Sequence, residues 1–248
     1  MALRRPPGLN SLLHIATAED KPTAIVLAGH NGSGKSTLWY TRLADGLQIP
    51  LVNADRLTLS LLPPTDENQK LKPWAARLRD EDGRWQKLSQ DGVQLFMGLI
   101  MDQGMSFAFE TVFSYLKKQA DGTIRSKADT ILTLQKHGYF VVLMFVGLAT
   151  PELSILRVAT RKSQGGHDVP EAKLRSRFPR TQEAIRMAST VADMTLMFDN
   201  SRSVEDAFSL VRAQRKKTVL YDCRDPQFRQ DAELVEVAAL WLSKVAPL

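Results

Sequence analysis

Four apolar residues, Ala24-Ile25-Val26-Leu27, run almost directly into Gly29-His30-Asn31-Gly32-Ser33-Gly34-Lys35-Ser36. A buried strand followed by G-x-x-x-x-G-K-[ST] and then a helix is the pattern of a phosphate-binding P-loop. Its glycines let the backbone turn tightly, so that N–H groups converge on phosphate oxygens. The helix that follows adds the positive end of its dipole. Lys35 is expected to reach the β- and γ-phosphates, and the Ser36 hydroxyl to ligate Mg2+. The expected nucleotide contacts are therefore Gly29, His30, Asn31, Gly32, Ser33, Gly34, Lys35, Ser36 and Thr37. The competing reading is a Gly-rich turn that fits the pattern by chance.

The rest of the chain repeats the alternation that the P-loop begins. Apolar segments at 24–28, 49–53, 106–110, 139–146 and 195–199 are separated by stretches with helical spacing. That order predicts an α/β fold of the P-loop NTPase type, a parallel sheet with helices on both faces and a small helical lid. The 248 residues are read as one P-loop domain, with residues 1–20 as a short leader. Leu38, Trp39 and Leu43 make the buried face of the first helix, which Gly46 stops. Residues 61–90 are polar and charged and read as a solvated helical excursion, with Trp74 and Trp85 as packing anchors. Ala128, Ile131 and Leu132 mark a further helix. Ser203 is expected to cap a helix carrying Val204, Ala207, Phe208 and Val211 at i, i+3, i+4, i+7. Thr218–Tyr221 reads as an edge strand, and 232–244 as a closing helix with Trp241 inward.

Composition narrows the function classes. A net charge of +6 suits an anionic ligand but lacks the positive block of a dedicated nucleic-acid binder, so nucleic acid is not an expected partner. The one cysteine, Cys223, excludes an internal disulfide, a cysteine zinc site and a redox pair, and is read as a small core residue. The basic start lacks the apolar stretch of a signal peptide, and no run approaches the ~18 apolar residues of a membrane span. A cytoplasmic protein without membrane contact is expected.

Two carboxylates stand at strand ends, where ligands of doubly wound sheets bind. Asp55 follows Ile49–Asn53 and is placed to meet the acceptor of a γ-phosphate. It also reads as the cap of a helix starting at Arg56, and the two roles are compatible. Glu110 ends the aromatic alternation Ser106-Phe-Ala-Phe-Glu-Thr111. Between Arg157 and Arg180 lie seven basic residues, Arg157, Arg161, Lys162, Lys173, Arg175, Arg177 and Arg180, around Gly165-Gly166-His167-Asp168-Val169-Pro170. Two basic helical pieces joined by a Gly-Gly hinge read either as a lid over phosphates or as a solvated basic face.

Taken in order, Ala28–Thr37, Asn53-Ala-Asp55, Ser106–Thr111, Gly138-Tyr139, Pro151-Glu152 through Arg157-Val158 and Arg161, Gly165–Pro170, Arg177-Phe178 and Asp199-Asn-Ser201 resemble the zeta-toxin family of P-loop kinases. The resemblance implies an ATP-dependent kinase that phosphorylates the 3′-hydroxyl of the sugar in UDP-N-acetylglucosamine, as the toxin of a toxin–antitoxin pair. By motif it implies Asp55 as general base, Lys35 as phosphate-binding lysine and Ser36 as Mg2+ ligand. Arg157, Arg161 and the basic lid, including Arg177, would hold the γ-phosphate. Asn53, Asp55, Glu110, Thr111 and His167 would face the substrate. It also implies a small helical antitoxin, expected as a separate chain. The chain departs from the founding toxins at His167, after the glycine pair, and in the longer, more charged stretch 68–90.

Two other readings stand beside this one. The acceptor of a P-loop kinase could be another nucleotide, sugar or polynucleotide end. A mechanical ATPase would instead want an apolar strand ending in Asp-Glu and a Ser-Gly-Gly signature. Phe198-Asp199-Asn200 supplies the Asp alone.

Overall fold

A computed structural model describes residues 3–67, 70–166, 169–229 and 231–246. The organising strand is β1 (Thr23–Gly29), buried along its whole length. It follows α1 (Leu9–Thr17), which lays Leu12, Leu13 and Ala16 on the core. After the P-loop comes a continuous helical stretch, α2 (Lys35–Leu38), a π-helical turn at Trp39–Leu43 and α3 (Ala44–Leu47). Leu38, Trp39 and Leu43 are all buried, as their spacing predicts. The stretch ends one turn-position later than expected, past Gly46, where Gln48 takes a left-handed conformation with φ 53°.

The chain continues through β2 (Leu51–Val52), α4 (Ala54–Ser60), α5 (Pro73–Glu81) and α6 (Gly83–Asp102) to β3 (Phe107–Thr111). A small antiparallel ribbon, β4 (Leu116–Lys118) and β5 (Ile124–Ser126), precedes α7 (Ala128–Lys136) and β6 (Phe140–Gly147). Then come α8 (Pro151–Ser163), α9 (Glu171–Val191), β7 (Met194–Asp199), β8 (Ser209–Arg215), β9 (Thr218–Asp222) and α10 (Ala232–Val245).

The main sheet has the order β2-β3-β1-β6-β7-β8-β9. From β2 to β7 every neighbour is parallel, with Ala24 opposite Phe107 on one side of β1 and Val141 on the other. Central parallel strands are covered on both faces, which explains the uninterrupted apolar run of β6. Trp241 of α10 is fully buried against Phe145, with ring centroids 5.4 Å apart.

The expected helix from Ser203 is overturned. Residues 209–215 are strand β8, antiparallel to β7, and β9 completes a hairpin at that edge. Val204 is 87% exposed, and the Ser203 hydroxyl bonds the Asp206 carboxylate instead of a helix N-terminus. The helical spacing competes with a second pattern, buried Val211 and Ala213 alternating with half-buried Leu210 and Arg212. Pairing to the open edge of β7 satisfies that second pattern and a row of backbone groups together. Two smaller expectations also change. Trp74 is half-exposed rather than an anchor, and Leu134, not Leu132, shares the buried face of α7 with Ile131. Cys223 is buried, as expected, and burial pushes its thiol up to about 12.

Candidate functional site

The P-loop is held from three sides. On α8, the Ser154 hydroxyl donates to the Asn31 carbonyl at 2.7 Å, and Gly32 sits against the Arg157 stem. On α9, Phe178 stacks on the His30 ring, with centroids 3.8 Å apart and planes 8° from parallel. From the loop after β7, Asn200 donates its Nδ2 to the Ser33 carbonyl at 2.8 Å. Gly34 has φ 92°, and a Cβ there would lie 2.7 Å from Asn200 Nδ2 and 3.1 Å from the Phe208 ring. Both the conformation and the space therefore require glycine at this turn.

The lysine and the strand-end carboxylate meet below this loop. Lys35 Nζ donates to the carbonyls of Gly29 (3.2 Å) and His30 (3.0 Å) and lies 3.8 Å from Glu110 Oε1. Glu110 Oε2 accepts from the Ser36 hydroxyl at 2.8 Å and from Asn53 Nδ2 at 2.7 Å. Burial lowers the Lys35 pKa, the charges of Glu110 and Asp55 oppose that shift, and Arg161 adds to it. Lys35, Ser36, Asn53, Asp55, Glu110 and Arg161 thus form one electrostatic cluster, drawn from the start of α2, the start of α4 and the residue before it, the end of β3 and the end of α8.

Asn53 has two tasks. Its Oδ1 accepts from the Arg56 N–H as the N-cap of α4, while its amide N–H2 holds Glu110. The helix therefore begins at Ala54, and Asp55 lies in its first turn rather than capping it. Asp55 is exposed, and its side chain makes no hydrogen bond to the described residues. Glu110 is the opposite case, a half-buried carboxylate already served by two hydrogen-bond donors and an ion pair. Thr111 stands beside it, its hydroxyl accepting from the Phe113 N–H at 3.3 Å. Thr37 is exposed on the first turn after the loop.

The basic residues divide in two. Arg157 and Arg177 are partly buried, and that burial lowers both pKa values. Asp199 opposes the shift at Arg157, and Arg180 adds to it at Arg177. Arg177 lines a narrow crevice with His30, Asn31, Ser154 and Phe178, next to the loop. Arg175 turns away to Glu152 and Glu171 on the exposed surface. The Gly165–Gly166 turn joins α8 to α9 as expected, and His167 and Asp168 lie outside the described residues.

His30 was expected among the nucleotide contacts. Its backbone belongs to the loop, but its ring is buried between Phe178 and Phe145, and burial followed by Lys35 pulls its pKa down to about 3. Sequence reasoning missed Asn200, Ser154 and Phe208 as loop supports. Asn200 left a signal, a polar residue directly after a strand end. Ser154 left a fainter one, a small hydroxyl one turn before Arg157 and Val158. Phe208 looked like a helical core residue. Asp199 is 1% exposed and accepts from Ser201 N–H, the Ser201 hydroxyl and Trp241 Nε1, the last at 2.8 Å. It is thereby turned toward α10. Among the described residues no helix is long and apolar enough to cross a membrane.

The fold and the sequence both have counterparts among known proteins. The fold is similar to the PezAT chromosomal toxin–antitoxin system of Streptococcus pneumoniae, with a TM-score of 0.56 at 15% identity, covering 98% of this chain and 99% of that one. It is also similar to the complex of AvrRxo1-ORF1 and -ORF2 with ATP, with a TM-score of 0.58 at 16% identity, covering 96% and 69% of the two chains. In sequence it is 26% identical over 155 residues to an uncharacterized protein of Haemophilus influenzae, covering 62% of this chain and 91% of that one. The zeta toxin family model matches residues 10–225, which include the P-loop, both strand-end carboxylates and the basic helices, and the chain belongs to the zeta-toxin family.

Proposed function

We propose that this protein is an ATP-dependent phosphotransferase that moves the γ-phosphate to a hydroxyl of a nucleotide sugar such as the 3′-OH of UDP-N-acetylglucosamine. The observation that carries the reading is the meeting of Lys35, Ser36, Asn53 and Glu110 in one hydrogen-bonded cluster, with Asp55 within its field. A lysine-bearing P-loop with an exposed carboxylate in its field supports transfer from a bound triphosphate to a hydroxyl. Family membership and the ATP complex of a structural relative support the same donor.

In this reading the acceptor oxygen attacks the γ-phosphorus, and the bond to the β-bridging oxygen breaks. Its electron pair leaves with ADP, and the acceptor proton passes to Asp55. Asp55 suits the role because it is exposed and makes no hydrogen bond to the described residues, whereas Glu110 already accepts two hydrogen bonds and faces Lys35. Phosphoryl transfer is mostly positioning and charge neutralisation. Lys35, Arg157, Arg161 and Arg177 supply the positive charge. A hydroxyl and a carboxylate 2.8 Å apart are hard oxygen donors that suit Mg2+, which needs few protein ligands when phosphates complete its shell. Ser36 and Glu110 would hold it, and it would neutralise charge on the β- and γ-oxygens. The toxin–antitoxin setting of a structural relative supports a separate antitoxin partner.

The second reading keeps the chemistry and changes the acceptor to another nucleotide, sugar or polynucleotide end. A motor ATPase is disfavoured because Asp199, its only matching feature, is committed to Trp241 and Ser201. The test is transfer from labelled ATP to a panel of nucleotide sugars, nucleosides and oligonucleotide ends, run beside Lys35→Ala. Label on a nucleotide sugar in the parent alone supports the reading. Turnover of ATP that needs no acceptor, or transfer that survives Lys35→Ala in a folded protein, sinks it.

A further inference from the structure

The charged excursion on the acceptor side reaches the turn between the two basic helices through one side chain. Arg79 of α5 is 11% exposed. Its Nε and Nη2 both bond the Asp80 carboxylate at 2.8 Å, and its Nη1 and Nη2 donate to the carbonyls of Gly165 (2.9 Å) and Gly166 (3.3 Å). One guanidinium thus spans two successive carbonyls, which its planar fork does and an ammonium does not.

Those carbonyls belong to the cap that ends α8. Gly165, at φ 84°, donates its N–H to the Lys162 carbonyl at 3.0 Å, and Gly166 donates to the Arg161 carbonyl at 2.9 Å. This is the bond pair of a Schellman cap, in which Arg161 is the third residue from the helix end. Gly166 also packs on the Arg161 stem so closely that a Cβ would lie 2.5 Å from Cγ. The Arg161 stem is therefore packed against this turn. Arg161 in turn is near enough to Lys35 for its charge to be felt there.

The supporting arm is tied together by side-chain hydrogen bonds. Asp82 caps α6 through the N–H groups of Arg84 and Trp85. Gln86 Nε2 closes the end of α5 on the carbonyls of Arg79 (3.1 Å) and Asp80 (3.2 Å). Thr58 of α4 and Ser89 of α6 bond at 2.6 Å, which ties the arm to the helix that carries Asp55.

We propose that Arg79 is a positioning residue, which fixes the Gly165–Gly166 turn on which the Arg161 stem packs and so couples the acceptor-side arm to the phosphate site. The proposal rests on the reading of the P-loop cluster as a phosphate site. Arg79 touches neither nucleotide nor acceptor; it acts through the turn.

The test compares the parent with Arg79→Ala, Arg79→Lys, Arg161→Ala and the Arg79→Ala/Arg161→Ala double variant. In ligand-free protein, Arg79→Ala should speed amide exchange at Gly165 and Gly166 about tenfold, with strand β1 unchanged, because charge-assisted hydrogen bonds to the turn are lost. Arg79→Lys should recover part of that protection. In nucleotide binding, the preference of the parent for ATP over ADP should fall about tenfold in Arg79→Ala, as in Arg161→Ala. The double variant should fall no further than Arg161→Ala alone. Unchanged exchange at the two glycines overturns the proposal, as does a parent that binds both nucleotides equally or a double variant that loses the product of the single effects. If Arg79→Ala does not fold, Arg79→Lys carries the same comparisons. Failure of the kinase reading is separate: it appears as no labelled transfer by the parent and leaves the exchange result standing.

Discussion

The two sides of the crevice are built differently. On the donor side, β1, β6 and β7 are buried end to end, and the P-loop they support is held by Ser154, Phe178 and Asn200 from three separate elements. On the acceptor side, β2 pairs over only two residues, and α6 leaves Leu88, Leu95, Phe96 and Leu99 at least half exposed. Asp55 stands in solvent on the short helix between them. In the proposed reaction the donor side is thus preorganised, so its dipoles would need no rearrangement as charge develops on a phosphate. The acceptor side has few buried contacts, the physical signature of a region that opens at low cost. Three measurements test this contrast.

The largest expected effect is on chemistry without stability. Asp55→Asn should lose about 10²–10⁴ in turnover, which is roughly 3–5 kcal/mol of barrier. Because the side chain is exposed and unbonded, stability should change by less than about 0.5 kcal/mol and ATP affinity should hold. Single-turnover kinetics beside a denaturant titration check both halves. Unfolding would make Asp55 structural, and turnover within a few-fold of the parent would move the base to Glu110.

A donor-side substitution should behave in the reverse way. Asn200→Ala leaves the Ser33 carbonyl without its partner in a buried setting, which costs about 1–3 kcal/mol. Stability and the ATP-induced rise in Tm should fall together, since one bond serves both. An unchanged Tm with weakened ATP binding would show that the loop is not rigidly supported, and the contrast between the two sides would fail.

The smallest effect is a pH slope. His30 has an ordinary value of 6.5 and a folded value of about 3, through burial and the Lys35 charge. Between these values the unfolded chain takes a proton that the native state refuses. Stability therefore falls as pH drops below about 6.5, by up to about 1.4 kcal/mol per pH unit, and the contribution vanishes above neutrality. His30→Phe keeps a ring for the Phe178 stack and removes the titrating group. Denaturant titrations at pH 7.5, 6 and 5 should show the variant gaining on the parent as pH falls. Parallel slopes would mean that the loop opens enough to protonate His30 in the native state.

Much of the fold was legible because its signals are local. Uninterrupted apolar runs marked β1 and β6, since a parallel strand buried on both faces tolerates no polar alternation. The edge hairpin was not legible. Val204, Ala207, Phe208 and Val211 satisfy the helical period by accident, and the open edge of β7 decided for strand. The carboxylates were legible as strand-end residues, yet their division of labour was not. Asn53 sits two residues before Asp55 and looked like part of the same polar strand end. Only the packing of β3 beside β2 shows that it both caps α4 and holds Glu110. Arg79 was hidden among Arg77-Leu78-Arg79-Asp80-Glu81, where Arg77 offers the same charge two positions away.

By itself, then, the sequence determined the P-loop, the alternation of strands and helices, and the membership of Lys35, Ser36, Asp55 and Glu110 in one crevice. These follow from short-range rules: steric freedom at glycine, periodic burial, and the placing of strand ends on one side of a parallel sheet. Tertiary structure decided which carboxylate is occupied and which is free, which arginines turn inward, and that Asp199 serves Trp241 rather than the site. These depend on contacts between residues far apart in the chain, such as Ser36 with Glu110 and Arg79 with Gly165. A hydrogen bond has direction and a range of about 3 Å, and no pattern along one strand of sequence carries that information.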